Sequence, residues 1–244
     1  MAQALAEQVS DRAHGNAWAV EQTSMPTDAA SLKTRILFVG NSYTSRNNLP
    51  RLVVELAGAA APPTQVEVAS IVAGGASLKR HWNAGKVQAA LDSASWDYVV
   101  LQEQSTLPFK SPQRYHENVR LFHPEIAKHG AKTVLYLTWA RQQARERSKD
   151  IDRAVETIAA EIGVQVAPVG RAWQLAMRQL PQIHLYVNDG SHPSAAGSYL
   201  AACVFLGTLF KQSPSGSAVS DSLGIDRADA EELQAIAWEV SRRP

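Results

Sequence analysis

The hydrophobic positions of this chain fall into two alternating kinds of segment. Short apolar runs rich in β-branched residues, at 36–39, 95–101, 133–138 and 164–169, predict buried strands. At 65–69, Val66 and Val68 alternate with polar neighbours, the pattern of a more exposed strand. Between these runs the apolar positions take helical spacing. Leu49, Leu52, Val53, Leu56 and Ala57 form one such face, with Pro50 suited to a first helical turn. Further helices are expected at 78–91, at 111–129 with Gly130 as the stop, at 148–162 before Gly163, and at 172–180 up to Pro181. Two more are expected at 194–210, strongly apolar, and at 226–242, amphipathic. Strand and helix alternate about five times, which implies a parallel sheet covered on both faces.

Residues 1–30 show no sustained period and are expected to form an N-terminal arm, from which Trp18 could dock on the body or on a second subunit. Residues 31–244 are expected to form a single domain ending in a helix. The short Ser/Gly/Pro stretch at 213–217 does not justify a second one, and no internal repeat is visible.

Composition narrows the function. Hydrophobic residues make up 45% of the 244 and charged residues 19%, enough for a globular core. Lys+Arg number 24 against 23 for Asp+Glu, so no field steers nucleic acid or anionic membrane. The single cysteine, Cys203, excludes an internal disulfide and a cysteine-rich metal site. Its neighbours Ala201, Ala202, Val204 and Phe205 predict a buried structural thiol. No apolar run reaches spanning length, and no signal-peptide pattern opens the chain. A cytoplasmic protein is therefore expected, or an exported one whose leader has been removed.

The candidate chemistry lies in the loops. Gly40 and Asn41 end the first strand, and Ser42 sits at the tip of the turn that follows. In a parallel sheet the loops after strands share one edge, where open α/β sheets place their ligands. Those loops carry Ser42, Gly74-Gly75 and Gln102-Glu103-Gln104. A further loop holds Asp189-Gly-Ser-His192 ahead of an apolar helix. That spacing lets the carboxylate hold one ring nitrogen while the other faces a serine hydroxyl, the pairing that an otherwise weak serine nucleophile needs. A glycine N–H and a side-chain amide could supply donors to a developing oxyanion.

These residues resemble the blocks of the SGNH (GDSL-type) hydrolase and esterase superfamily. Gly40-Asn-Ser-Tyr-Thr44 is similar to the first block, with Asn41 in place of the family's aspartate. Gly75, in Gly-Gly-Ala-Ser77, matches the glycine of the second block, and Asp189-Gly-Ser-His192 matches the last. The third block departs from the family's Gly-x-Asn-Asp. Gln102-Glu-Gln-Ser105 stands there, resembling a branch with Gly-Asn-Ser first blocks, and Gln104 takes the place of the oxyanion-stabilising asparagine. The resemblance covers about residues 33–211. It implies a flavodoxin-like, three-layer α/β/α fold with about five parallel strands. It also implies a serine esterase working through an acyl-enzyme; short-chain esters, acetyl above all, are expected because no long apolar lid segment is evident. Ser42, His192 and Asp189 would be catalytic; Ser42, Gly75 and Gln104 would form the oxyanion hole. A small-molecule or carbohydrate ester is the expected substrate, with no cofactor and no metal.

Each residue also has a plainer reading. Ser42 could cap a helix, Gly74 and Gly75 could serve a turn, Asn41 could be a turn residue, and His192 could be solvated. Glu103 could be a second acid–base carboxylate or a salt-bridged residue near the mouth. Tyr43, Gly74, Glu103 and Trp139 are candidates to line the substrate site; Trp82 and Tyr186 also flank it in sequence, and core packing is the default for the aromatics. His81, His116, His123, His129 and His184 show no metal-ligand spacing, and Arg141, Arg145 and Arg147 with Glu146 read as a solvated charged loop. Two other classes stay open: a flavodoxin-type phosphate or nucleotide module built on the loop 40–44, and a non-catalytic glycan-binding relative.

Overall fold

The computed structural model describes residues 33–217 and 223–243; the arm expected over 1–30, with Trp18, lies outside them. Five strands form one sheet: β1 (Thr34–Gly40), β2 (Val66–Val72), β3 (Tyr98–Leu101), β4 (Lys132–Tyr136) and β5 (Gln165–Ala167). All pairings are parallel, in the order β2-β1-β3-β4-β5. From β1 in the interior of the sheet the chain adds β2 on one side, then crosses to build the rest on the other. The edge of β1 where it meets β3 is thus the switch point at which ligands sit in such sheets. The register pairs Gly40 with Val72 and Val39 with Leu101, so the loops leaving β1, β2 and β3 start level with one another.

Alternation along β1 makes the layers. Ile36 and Phe38 join one core, Leu37 and Val39 the other, and all four are fully buried. A strand covered on both faces must be apolar at every position, which is why 36–39 reads as an unbroken run. The first core is closed by α2 (Leu49–Ala59), α8 (Val169–Gln179) and α9 (Ala195–Phe205). The second is closed by α3 (Leu78–Ala84), α4 (Lys86–Ser93), α6 (Pro112–Lys128) and α7 (Ser148–Ile162). The result is the expected three-layer α/β/α fold. Helix α9 is buried from Gly197 to Phe205 because a further helix, α10 (Arg227–Ser241), lies over its outer side with Ala230, Leu233, Ile236 and Ala237. Cys203 is among those buried residues, and desolvation pushes its thiol pKa up, as expected of a structural cysteine.

Local chemistry moves several expected boundaries. The helix expected at 78–91 is two, split where Gly85 takes a left-handed conformation and closes α3 by donating to the Trp82 carbonyl. The strand expected at 164–169 is only three residues long, and Val169 already opens α8 directly after Pro168. The apolar stretch at 194–210 is regular up to Phe205 and ends in a wider turn, Leu206–Phe210. Two one-turn helices, α1 (Ser42–Ser45) and α5 (Leu107–Lys110), were not visible in the periodicity, which needs more than four residues to register.

Helix α9 also sets the height of the loop that carries His192. A Cβ added at Gly197 would lie 2.4 Å from both the Leu185 carbonyl oxygen and the Trp173 ring. Gly197→Ala should therefore destabilise the fold by about 1–3 kcal/mol in urea denaturation. An unchanged midpoint would show that the helix and loop are not in the close contact described.

Candidate active site

The site begins with what Gly40 allows. A Cβ there would fall 2.5 Å from Gln102 Oε1 and from Thr44 Oγ1, so only glycine admits the Gln102 amide to the end of β1. Gln102 Oε1 accepts from the Asn41 N–H at 2.8 Å and from the Thr44 hydroxyl at 3.0 Å, while its Nε2 donates to the Glu103 carbonyl. The loops after β1 and β3 are thereby laced across the switch point. Asn41 does more than turn the chain. Its Oδ1 accepts from the Tyr43 N–H, capping α1, and its Nδ2 donates to the Ala76 carbonyl at 3.0 Å. That second bond ties the Gly74-Gly75 loop to the serine loop. His81 adds a third tie. It is buried, desolvation lowers its pKa, and the Gly40 carbonyl, 2.7 Å away, takes the hydrogen on its Nε2.

Glu103 is neither salt-bridged nor at the mouth. It is 4% exposed, and no Lys or Arg pairs with it among the described residues. Its Oε1 accepts from the Leu78 N–H at 3.1 Å and the Gln104 N–H at 2.6 Å; its Oε2 accepts from Asn118 Nδ2 at 2.8 Å. Burial raises its pKa above the usual carboxylate value, against the pull of those three donors. The carboxylate joins the start of α3, the end of β3 and α6 from beneath. The next residue, Gln104, is half-buried, and its Oε1 accepts from the Thr106 N–H, the Thr106 hydroxyl and the Leu107 N–H at 2.9–3.0 Å. Three donors fix which end of the amide is oxygen, and its Nε2 has no acceptor among the described residues.

From the other side comes the loop 188–193. Asp189 Oδ1 accepts from the Ser191 and His192 N–H groups at 2.8 and 2.9 Å, and its Oδ2 lies 2.6 Å from His192 Nδ1. The ring bond first, then the two backbone bonds, hold the Asp189 carboxyl down to a pKa of about 2. An ionised carboxylate accepts only, so Nδ1 carries the hydrogen and Nε2 presents its lone pair. Nε2 lies 2.8 Å from Ser42 Oγ. The loop is clamped by the Trp139 indole N–H on the Ser191 carbonyl at 3.0 Å, by Tyr43 Oη against Ser191 Oγ at 2.8 Å, and by the Gln142 N–H on the Gly190 carbonyl at 2.7 Å. Tyr43, Trp139 and Trp173 form a stacked column beneath it, with centroids 4.7 and 3.8 Å apart.

The fold therefore brings Ser42, His192 and Asp189 into one hydrogen-bonded row, with the loops bearing Gly75 and Gln104 tied to it. Gly75 is exposed with φ 63°, a conformation that suits glycine, and Gly74 is exposed beside it. Among the described residues neither the Ser42 N–H, at the head of α1, nor the Gly75 N–H has an acceptor. Of the other expected lining residues, Tyr43, Glu103 and Trp139 are 2–4% exposed and support the site from behind. Trp82 packs edge-on against Phe122, and Tyr186 donates to the Ala140 carbonyl. Sequence reasoning named Gln102 without its tie across the loops, and missed Asn118 and also Asn47, whose Nδ2 donates to the Ser194 carbonyl and Ser198 Oγ, each at 2.9 Å. No local pattern marks them, since each acts across a gap between distant segments. Among the described residues no group of three or more His, Cys, Asp or Glu side chains could hold a metal ion.

Solved structures share this arrangement of strands and helices. A protein of Slackia heliotrinireducens assigned to the SGNH hydrolases is 33% identical, with 72% of this chain and 99% of that one covered and a TM-score of 0.63. A DUF4886 family protein from Bacteroides uniformis is 21% identical over 85% of this chain and 94% of that one, with a TM-score of 0.71. Axe2, an acetylxylan esterase from Geobacillus stearothermophilus, is 21% identical over 71% and 92%, with a TM-score of 0.58; these last two show likeness of fold. No protein-family model and no curated protein sequence matches the chain.

Removing the Glu103 carboxylate would leave the Leu78 and Gln104 N–H groups and the Asn118 amide buried without an acceptor. Glu103→Ala should cost about 1–3 kcal/mol. Glu103→Gln, which keeps one carbonyl oxygen, should cost less. Chemical denaturation followed by circular dichroism checks both, and an alanine variant as stable as the parent would refute the tie.

Proposed function

The chain belongs to the SGNH hydrolases, and on that premise we propose that it is a serine esterase whose nucleophile is Ser42. The observation that carries this reading is the row Ser42 Oγ, His192 Nε2, His192 Nδ1, Asp189 Oδ2, with separations of 2.8 and 2.6 Å at its two hydrogen bonds. Ser42 Oγ attacks the acyl carbonyl while His192 Nε2 takes its proton. Asp189 keeps the ring in the tautomer with hydrogen on Nδ1 and stabilises the imidazolium that forms. The Ser42 and Gly75 N–H groups and Gln104 Nε2, all free of acceptors, bind the oxyanion; each such donor is worth about 3–4 kcal/mol of barrier. His192 returns its proton to the departing alcohol oxygen. It then draws a proton from water, which attacks the acyl-enzyme and releases the acid and Ser42.

A short acyl group, acetyl first, is the proposed substrate. No long apolar lid is evident in the sequence, and the Axe2 neighbour is an acetylxylan esterase. The phosphate-module alternative is not favoured, because it gives the Asp189–His192 pair no task. A glycan-binding relative without turnover likewise has no use for an imidazole on a serine hydroxyl.

A fluorophosphonate should label Ser42 and no other residue. Ser42→Ala should cut p-nitrophenyl acetate hydrolysis by about 10³-fold or more while still folding. Labelling elsewhere, or full activity in a folded Ser42→Ala protein, would overturn the mechanism.

The pH profile separates the two partners. The folded pKa of Asp189 lies below its unfolded value, so the contribution of its hydrogen bonds is present above the ordinary carboxylate range and is lost only as pH falls through about 2. Loss of kcat/KM on the acidic side well above pH 2, which is expected, thus reports a group other than Asp189. Activity held flat down to the titration of Asp189 would exclude His192 as the base.

A further inference from the structure

The helix that begins at Ser42 leaves through a strained turn. Among the described residues only three other than glycine have positive φ, and two of them are neighbours here: Asn47 at φ 50°, ψ 23° and Asn48 at φ 51°, ψ 50°. A Cβ makes this left-handed backbone unfavourable, and asparagine is one of the few residues that tolerate it. The pair turns the chain from α1 into α2, which two glycines could also do. The side chains tell the two positions apart. The Asn48 amide caps nothing and makes no hydrogen bond among the described residues. Asn47 Nδ2 donates to the Ser194 carbonyl and to Ser198 Oγ, each at 2.9 Å, with the Pro193 carbonyl 3.4 Å away. Its two hydrogens thus have two well-placed acceptors. Ser198 is buried in the first turn of α9, and its hydroxyl also reaches the Arg46 carbonyl at 3.5 Å.

What these bonds join gives them a task. Asn47 stands five residues after Ser42, and Ser194 two residues after His192. On the other side of His192, Tyr43 Oη meets Ser191 Oγ at 2.8 Å. The segment that carries the hydroxyl is therefore tied to the segment that carries the imidazole once before the ring and once beyond it. A loop held at one point can pivot about that point; a second point three residues along removes the motion. Asn47 is exposed, so water would serve its amide nearly as well as the protein does, and the bonds add little to stability. What they supply is direction.

We propose that Asn47 is a positioning residue for proton transfer between Ser42 and His192, holding the exit of the nucleophile's helix against the start of the helix that follows the imidazole. The proposal rests on Ser42 being the nucleophile of an esterase. Proton transfer requires the two atoms to be close and aligned, and His192 acts in both acylation and deacylation. Slack at this contact slows both steps and leaves ground-state binding of the ester alone.

The test compares Asn47→Gly with Asn48→Gly in the full chain. Each substitution suits the positive φ, and only the first removes a bonded amide, so the two urea midpoints should lie close together. Hydrolysis of p-nitrophenyl acetate and the rate of fluorophosphonate labelling at Ser42 are measured on both. Asn47→Gly should lose about tenfold in kcat and in labelling rate, with KM within about twofold of the parent, and Asn48→Gly should keep all three. Ser198→Ala, which deletes one of the two acceptors from another element, should lose about threefold in the same two rates. Parent rates in Asn47→Gly, an equal loss in Asn48→Gly, or a loss confined to KM overturns the proposal; should Asn47→Gly not fold, parent rates in Ser198→Ala overturn it. A parent chain that neither hydrolyses the ester nor takes the label at Ser42 overturns the esterase reading itself.

Discussion

The site depends on one loop being held still. Ser42 and His192 are 150 residues apart in the chain, and the bond between them forms across a part-buried gap rather than in a core. A loop at such a place is ordinarily mobile, because few apolar contacts order it. Here the ordering comes from directed bonds at nearly every residue. Gly190, Ser191, His192 and Ser194 are each bonded through a carbonyl or hydroxyl to a group outside the loop: to Gln142, to Trp139 and Tyr43, to Val187, and to Asn47. The aromatic partners are themselves immobilised in the stack of Tyr43, Trp139 and Trp173. Rigidity thus passes from a packed column to a polar loop, and a 2.8 Å contact between distant side chains needs that precision.

The sheet explains why the column stands where it does. With β1 between β2 and β3, the three loops that leave the switch point can bond sideways to one another. Gln102, Asn41, His81 and Glu103 do so, joining β1 to β3, β1 to the Gly74-Gly75 loop, and that loop's helix to β3. All four are buried. A buried amide or carboxylate with every strong partner in place contributes specificity, since any other register of these loops would leave donors unpaired. The floor of the site is therefore polar but buried, and the groups that face outward are held from behind.

Much of this was legible in the residues. Unbroken apolar runs at 36–39 and 133–138 and the helical spacing of Leu49 to Ala57 led to a parallel sheet covered on both faces, as found. The Asp-x-x-His spacing foretold the bond between Asp189 and His192, because one loop suffices to make it. What stayed hidden was whatever needs a partner from elsewhere. Trp139 and Tyr43 were candidates for the substrate wall, yet both lie under the histidine loop. Glu103 suggested a charged residue at the mouth, because an acid in a polar tetrapeptide carries no mark of burial. Gly85 broke a helix that hydrophobic spacing alone carried through, since its positive φ belongs to the backbone and leaves the apolar pattern intact.

The two carboxylates near the site show how environment assigns work. Asp189 is largely exposed, and its pKa still falls to about 2, because an imidazole and two backbone N–H groups hold its ionised form. Glu103 also accepts three bonds, but burial outweighs them and its pKa rises. A raised pKa in a cleft is often a mark of an acid–base catalyst. Geometry decides against that here. The three donors to Glu103 are the N–H groups of Leu78 and Gln104 and the Asn118 amide, none of which could be a substrate proton. Both of its oxygens are engaged, and it lies beneath the loops rather than facing the space above Ser42. Its position one residue before Gln104 gives it a different task. By fixing the backbone at Gln104 while Thr106 and Leu107 fix the side-chain oxygen, it leaves the long glutamine amide little freedom except at Nε2. A glutamine reaches one methylene further than an asparagine and loses more rotamer entropy when it is ordered. Bonds at both ends of the residue remove that freedom when the protein folds, before any substrate binds.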